Sequence, residues 1–171
     1  LSSKRDARVP VPNQYFGAFL DGGLKYRGIE LRRRDTTTWI RKIQLAALTI
    51  LAQADAPEEL TDHIPTALAW VERAKRDLKA GRVPLEDLVV RQKLSRVLDG
   101  YKSPSSAARA AIQLREAGRE MPPGQSVQFL FTRGSPGVQA WELAEGLDFG
   151  RLDIKRYCAL LERAMRTVLD P

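Results

Sequence analysis

Four arginines lie within the eight positions from Arg27 to Arg34, and this stretch restricts the fold more than any other part of the chain. The alternation around Lys25 and Tyr26 is typical of a strand, and the three threonines at 36–38 are typical of a helix start. A buried arginine without a partner would lose solvation worth several kcal/mol. These arginines must therefore face water, acidic side chains or a polyanion, at a junction between a strand and a helix.

The composition is that of a folded, basic protein. Its 171 residues suffice for one domain, or for one domain and part of another, and the apolar share of 43% is too high for a disordered chain. The formal charge of +7 favours an anionic partner, with nucleic acid the first candidate and an acidic membrane surface the second. Because many soluble proteins are basic, the placement of the charges is better evidence than their sum.

Several classes of protein are disfavoured by what the chain contains. A single cysteine, Cys158, excludes an internal disulfide framework and a cysteine-based zinc site, and its helical context predicts a buried core thiol. His63 has no His or Cys companion at ligand spacing, so we expect no metal site. No apolar run approaches the ~20 residues of a membrane span, and no apolar segment follows the polar start of the chain. We therefore expect a cytoplasmic protein that does not bind membranes.

The chain begins with a polar, proline-punctuated segment and then a predicted β-hairpin. Strand-like residues 15–20 and 24–31 flank the turn Asp21-Gly22-Gly23. Since an isolated hairpin is marginally stable in water, we expect it to belong to a larger sheet.

The rest of the chain predicts four helices and a short sheet. The first helix begins near Thr36 or Thr37, capped by Asp35 or a threonine, and the second covers about 65–80 with Leu68, Val71 and Leu78 inward. The third begins at Ser103, and the last covers 153–169 with Asp153 as its cap. A helical turn and an extended piece occupy 85–92, and strands are predicted at 126–132 and 138–143. The predicted class is α+β and mostly helical, with residues 1–35 as linker and hairpin and 36–171 as a helical domain with a short antiparallel sheet.

We find no reaction centre in the sequence. It has no glycine-rich phosphate loop, no paired His and carboxylate, and no Gly-x-Ser-x-Gly turn. The carboxylates are dispersed, and none forms the close aspartate pair that would hold two Mg²⁺ ions. Asp35 is the most suggestive acid, but helix capping or pairing with a neighbouring arginine explains it. No catalytic residue is predicted.

The basic residues are better organised and form two groups. In the first, strand alternation puts Lys25 and Arg27 on one face, with the arginines at 32–34 at the strand end. In the second, cations, hydroxyls and a tyrosine lie close to the predicted helix start at Ser103. Such a mixture of donors binds phosphates, although a solvated charged surface would have the same composition.

The order of these motifs resembles family B DNA polymerases. Arg27-Gly28-Ile29-Glu30, followed two residues later by Arg33-Arg34-Asp35, is similar to the family's palm-to-thumb junction. Further matches follow in register over about residues 13–169, and these are Leu88-Val89-Val90, Leu94-Ser95-Arg96, Tyr101-Lys102, the helix at 107–114, Pro123-Gly124-Gln125, and the last helix with Tyr157 and Leu161.

The resemblance implies a palm edge followed by a thumb-like domain that grips double-stranded primer-template DNA. It implies DNA contacts by Tyr15, Lys25, Arg27, Arg33, Arg34, Arg91, Lys93, Ser95, Arg96, Tyr101 and Lys102. The family's catalytic aspartates lie upstream of this segment, so the resemblance implies no cofactor here and Mg²⁺ and dNTP only at the catalytic palm. It also implies the remaining polymerase domains, or a catalytic large chain, as partners, and no catalysis by this chain on its own.

Two other functions remain open. The apolar hairpin could dock a non-catalytic interaction subunit onto a larger protein by strand addition. The chain could also be an independent nucleic-acid-binding protein, which we rank last because an aromatic platform for single strands is missing.

Overall fold

The computed structural model describes residues 15–19, 21–29, 31, 33–100 and 103–169. It confirms the α+β, mostly helical class. The strands are β1 (Tyr15–Ala18), β2 (Leu24–Arg27), β3 (Val90–Lys93), β4 (Ser126–Phe131) and β5 (Val138–Ala140), and the helices are α1 (Thr38–Leu51), α2 (Leu60–Lys79), α3 (Ser106–Glu116) and α4 (Ile154–Leu169). Short 3₁₀ helices join several of them, including Leu85–Leu88 before β3.

The predicted hairpin is present as an antiparallel pair of β1 and β2, but it is shorter than expected. Phe16 pairs with Tyr26, and these side chains pack half-buried against the core. The second strand ends at Arg27 rather than at 31, because Gly28 has a φ of 74° and turns the chain so that Ile29 enters the core. Within the described part of the chain, the hairpin is a sheet of its own and gains stability from packing rather than from further strands.

Helix α1 is the central helix of the helical half. Its N-cap is Thr37, whose hydroxyl accepts a hydrogen bond from the Ile40 amide at 3.3 Å. It packs against α2 and α4, with Leu48 fully buried. Gln44 crosses to α4, where its Nε2 donates to the Ala164 carbonyl at 2.8 Å.

Helix α2 begins earlier than the sequence predicted. It starts at Leu60, and Pro65 lies inside it instead of in its first turn. The reason is an apolar stripe that is continuous across the proline, with members on one helical face at Leu60, Ile64, Ala67, Val71 and Leu78. The prediction that Leu68 faces inward was wrong, because that side chain is 47% exposed.

The three-stranded sheet has the order β3-β4-β5 and is antiparallel throughout. Helix α3 packs against β4 and β5, and Gln113 on α3 hydrogen-bonds to the backbone of β5 at Val138 and Ala140.

The predicted start of α3 at Ser103 was wrong. The cap is Ser105, whose hydroxyl accepts from the Ala108 amide at 3.2 Å, so the helix begins at Ser106. Asp153 caps α4 as predicted, accepting from the Arg156 amide at 3.0 Å.

Candidate nucleic-acid interface

The outer face of the hairpin carries the first predicted cations. Lys25 and Arg27 are exposed and alternate with half-buried Leu24 and Tyr26. Lys25 pairs in register with Gly17, where an added Cβ would meet no described atom within 4 Å, so none of the described residues covers this position. Neither cation forms an ion pair with a carboxylate in the described part of the chain. Tyr15, another predicted DNA contact, lies opposite Arg27 in the hairpin, and its side chain is not among those that the structure describes.

Strand β3 carries the second group. Arg91 and Lys93 are exposed and lie opposite Gln128 and Ser126 of β4. Val90 is buried, so alternation places Arg91 and Lys93 on the sheet face away from the core that Val90 enters. Ser95 and Arg96 follow in exposed positions. Tyr101 and Lys102, the last two predicted contacts, lie outside the described residues.

The junction arginines differ from one another. The Arg33 guanidinium binds Asp35 with both arms, Nε to Oδ1 at 3.1 Å and Nη2 to Oδ2 at 2.9 Å. The hydrogen bond from Arg33 holds the pKa of the Asp35 carboxyl below its ordinary value, and the Arg163 charge adds to the effect. The expectation that pairing explains Asp35 is confirmed, and Arg33 is occupied by this pair. Arg34 is exposed and has no carboxylate partner among the described side chains.

The pair gives stability a testable dependence on pH. Because the pKa of Asp35 is lowered on folding, its contribution is present above the unfolded value of 3.8 and is lost as pH falls through the folded value. We expect Asp35→Asn to lower the free energy of unfolding near pH 7 by less than ~1 kcal/mol, since the pair is partly exposed. The difference from the unsubstituted chain should be smaller at a second pH well below 3.8, because Asp35 takes up a proton as the pH falls.

Urea unfolding at the two pH values measures this difference. Asp99→Asn is the matched control, because Asp99 pairs with Arg115 through a carboxylate that is 87% exposed and should contribute almost nothing. A difference for Asp35→Asn that persisted undiminished at low pH would show that its origin is not the charge of Asp35.

A cleft of about 300 Å³ adjoins this junction and was not predicted from the sequence. It lies between the junction, β3, the start of α3 and α4. The polar residues described in its lining are Arg33, Asp35, Thr36, Thr37, Gln92, Ser105, Ser106, Arg156 and Arg163. Arg33 and Asp35 neutralise each other, so Arg156 and Arg163 give the described lining of the cleft a net positive charge. The signal that could have found it is the seven-residue spacing of Arg156 and Arg163, which places both on one face of a helix.

Arg156 has the most defined geometry in the cleft. Its Cζ lies 3.7 Å from the centroid of the Phe131 ring, and its Nη2 lies 3.5 Å from the Ser106 hydroxyl. Phe131 is itself held edge-on by Phe129 at 5.4 Å and by Tyr157 at 5.7 Å between centroids. The guanidinium therefore rests on a buried aromatic group with a fixed orientation.

The described residues show no metal site, membrane-spanning helix or activated cysteine beside this cleft. No three His, Cys, Asp or Glu side chains among them converge as metal ligands, and none of their helices could cross a membrane. Cys158, predicted to be a buried core thiol, packs against the core and is half-buried. Burial raises the pKa of its thiol, which disfavours the reactive thiolate.

Comparison with known proteins first defines the class. The fold is similar to the family B DNA polymerase of Pyrobaculum calidifontis, with a TM-score of 0.75 and 20% identity, over 93% of this chain and 20% of that one. Residues 13–157 match DNA polymerase family B, and the chain belongs to that family.

Curated relatives agree with this assignment. DNA polymerase 1 of Sulfolobus acidocaldarius is 26% identical over 160 residues, covering 93% of this chain and 18% of the relative. The DNA polymerase of Archaeoglobus fulgidus is 28% identical over 146 residues, covering 83% of this chain and 18% of the relative. The chain thus spans about a fifth of the length of the relatives that it matches.

Proposed function

We propose that this chain holds duplex primer-template DNA through phosphate contacts, as the palm edge and thumb of a family B DNA-directed DNA polymerase. The observation that carries the proposal is a set of exposed cations on β2 and β3 in a chain that belongs to this family. None of these cations has a carboxylate partner among the described residues. They are Lys25, Arg27, Arg91 and Lys93.

The chemistry of these residues suits a polymerase. Phosphates are the same at every base pair, so contacts from lysine and arginine hold a duplex without reading its sequence. Arg34, Ser95 and Arg96 are exposed nearby in sequence and belong to the proposed contact set. Arg33 contributes indirectly, since its bond to Asp35 fixes the turn between the hairpin and α1.

The proposed roles of the two parts of the chain follow from the resemblance to family B DNA polymerases. Residues 1–35 form the palm edge and residues 36–171 form the thumb. The Mg²⁺ ions and the dNTP are held by the rest of the polymerase, which supplies the catalytic aspartates and is the protein partner. In the complete enzyme this chain contributes the grip on the product duplex during DNA synthesis.

Fluorescence anisotropy of a labelled primer-template duplex across a salt series tests the proposal. The variant replaces Lys25, Arg27, Arg91 and Lys93 with glutamine. We expect weak, salt-dependent binding by the original chain, and a fall in the log-log salt slope of up to ~3.6 in the variant, at ~0.9 for each phosphate that is no longer neutralised. Binding should weaken equally for duplexes of different sequence.

A second variant with the same reduction in charge is the control. Arg73, Arg76, Lys79 and Arg166 are exposed cations on α2 and α4, and replacing them with glutamine should change the slope much less. Equal effects of both variants would show that only net charge matters. If neither variant changes DNA binding while docking of the chain to the polymerase remainder is impaired, the hairpin serves a protein partner and the proposal fails.

A further inference from the structure

We infer that the cleft between the junction, β3, α3 and α4 is a binding site for one phosphate group, with Arg156 as the residue that recognises it. The identification of that group as a phosphodiester of the DNA backbone rests on the proposed function. The site is separate from the cations on β2 and β3. Val90 and Gln92 line the cleft, whereas Arg91 and Lys93 alternate with them on the strand and point to the other face of the sheet.

The N–H donors of the Arg156 guanidinium are placed so that they can bind an anion. Its Cζ lies over the Phe131 ring, 3.7 Å from the centroid, and the N–H donors that point away from the ring stay available to an anion. No carboxylate among the described residues forms an ion pair with it. Its Nη2 is 3.5 Å from the Ser106 hydroxyl, a long contact that a ligand oxygen can replace or share.

The surroundings of Arg156 also favour negative charge. Arg163 lines the same cleft, and Asp35, the one acidic residue among the described residues of the lining, is paired with Arg33. The 11-residue helix α3 begins at Ser106, so its N-terminal dipole adds partial positive charge, and Ser105 and Ser106 supply hydroxyls. The net field therefore attracts an anion of the size that about 300 Å³ admits.

The geometry favours a phosphate over the other groups of a nucleic acid. A phosphate offers several acceptor oxygens, which can bind the guanidinium edge and a serine hydroxyl at the same time. A base would need an aromatic face for stacking. Phe131 is the aromatic residue among the described residues that line the cleft, and Arg156 covers its face. An acidic protein segment is the remaining rival, because its carboxylates also bind arginine bidentately.

The test uses the whole chain and three variants. Arg156→Gln removes the charge, Arg156→Lys keeps the charge but not the planar stacked group, and Lys155→Gln removes an exposed charge from the adjacent position. Titration with inorganic phosphate is followed by NMR shifts of the Ser106 and Ala107 amides. We expect saturable shifts in the original chain and in Lys155→Gln, weaker shifts in Arg156→Lys, and none in Arg156→Gln. A short poly-glutamate peptide is titrated in parallel.

Duplex anisotropy on the same proteins separates this inference from the proposed function. We expect Arg156→Gln to lower the log-log salt slope by ~1, the change that corresponds to a single phosphate, and Lys155→Gln to leave it unchanged. Duplex binding that is unaffected by Arg156→Gln, with no phosphate shifts at α3, would overturn the inference and leave the proposed function standing. Phosphate shifts without any duplex binding would support the phosphate site and overturn the proposed function. Equal shifts from poly-glutamate at lower concentration would overturn the assignment to phosphate.

Discussion

Phe129→Ala should lower the free energy of unfolding by about 3–5 kcal/mol. Phe129 is fully buried in β4, the middle strand of its sheet, where it pairs in register with Val90 and Ala140. Removing the ring would leave a cavity on the buried face of β4, and would remove the edge-on contact with Phe131. For a chain of this size the melting temperature should fall by roughly 6–20 °C, measured by circular dichroism or calorimetry.

Phe19→Ala is the control for this substitution. Phe19 lies beside the hairpin turn and is 54% exposed, so the same chemical change should alter the free energy of unfolding by less than ~0.5 kcal/mol. Equal destabilisation by Phe129→Ala and Phe19→Ala would mean that the β4 core is not packed as described. Because Phe129 supports Phe131, the variant should also weaken the phosphate-dependent shifts at α3, even at temperatures where the chain remains folded.

The second large effect is expected for Tyr157→Phe, which removes one buried hydroxyl. That hydroxyl donates to the Leu88 carbonyl at 2.9 Å and accepts from the Phe131 amide at 3.0 Å. Burial raises the pKa of the phenol, so the group stays protonated and keeps donating well into the alkaline range. Removal of the hydroxyl leaves two buried backbone groups unsatisfied, and we expect a destabilisation of about 2–4 kcal/mol, measured by urea unfolding.

Tyr26→Phe is the matched control, since Tyr26 is half-buried in the hairpin and its hydroxyl makes no hydrogen bond to the described residues. That change should be nearly neutral. If Tyr157→Phe left the free energy of unfolding unchanged, water would have replaced the hydroxyl. The hydrogen bonds that join α4 to the sheet would then contribute little to stability. The same hydroxyl joins α4 to β4, so its removal should also disturb the position of Arg156, one residue earlier on α4.

The aromatic group around Tyr157 connects these stability effects with the site. Phe129 and Tyr157 hold Phe131 from its edges, and Phe131 carries Arg156 on its face. A cation that is oriented in this way loses less rotamer entropy when it binds an anion than a lysine on a flexible stem would lose. The core of the sheet therefore positions the proposed phosphate ligand, and core substitutions should affect ligand binding before they unfold the chain.

Local sequence determined much of this protein. The hairpin follows from Asp21-Gly22-Gly23 between two apolar stretches, and the Asp21 carboxylate does accept a hydrogen bond from the Gly23 amide at 3.0 Å. The fold class, the caps at Thr37 and Asp153, the pairing of Asp35 and the family motifs were also readable. All of these depend on residues that are near one another in the chain, where spacing and side-chain chemistry limit the possible geometry.

Only the tertiary structure decided the features that depend on distant partners. Pro65 is accepted inside α2 because the apolar stripe on both sides of it packs against α1, and the end of β2 at Arg27 depends on Ile29 reaching the core. The cleft brings together residues that are up to 131 positions apart in sequence, from Arg33 to Ala164. Arg156 looked like one surface cation among 28 basic residues, and its distinction comes from Phe131, 25 residues away, because a stacked guanidinium requires packing that no local pattern encodes.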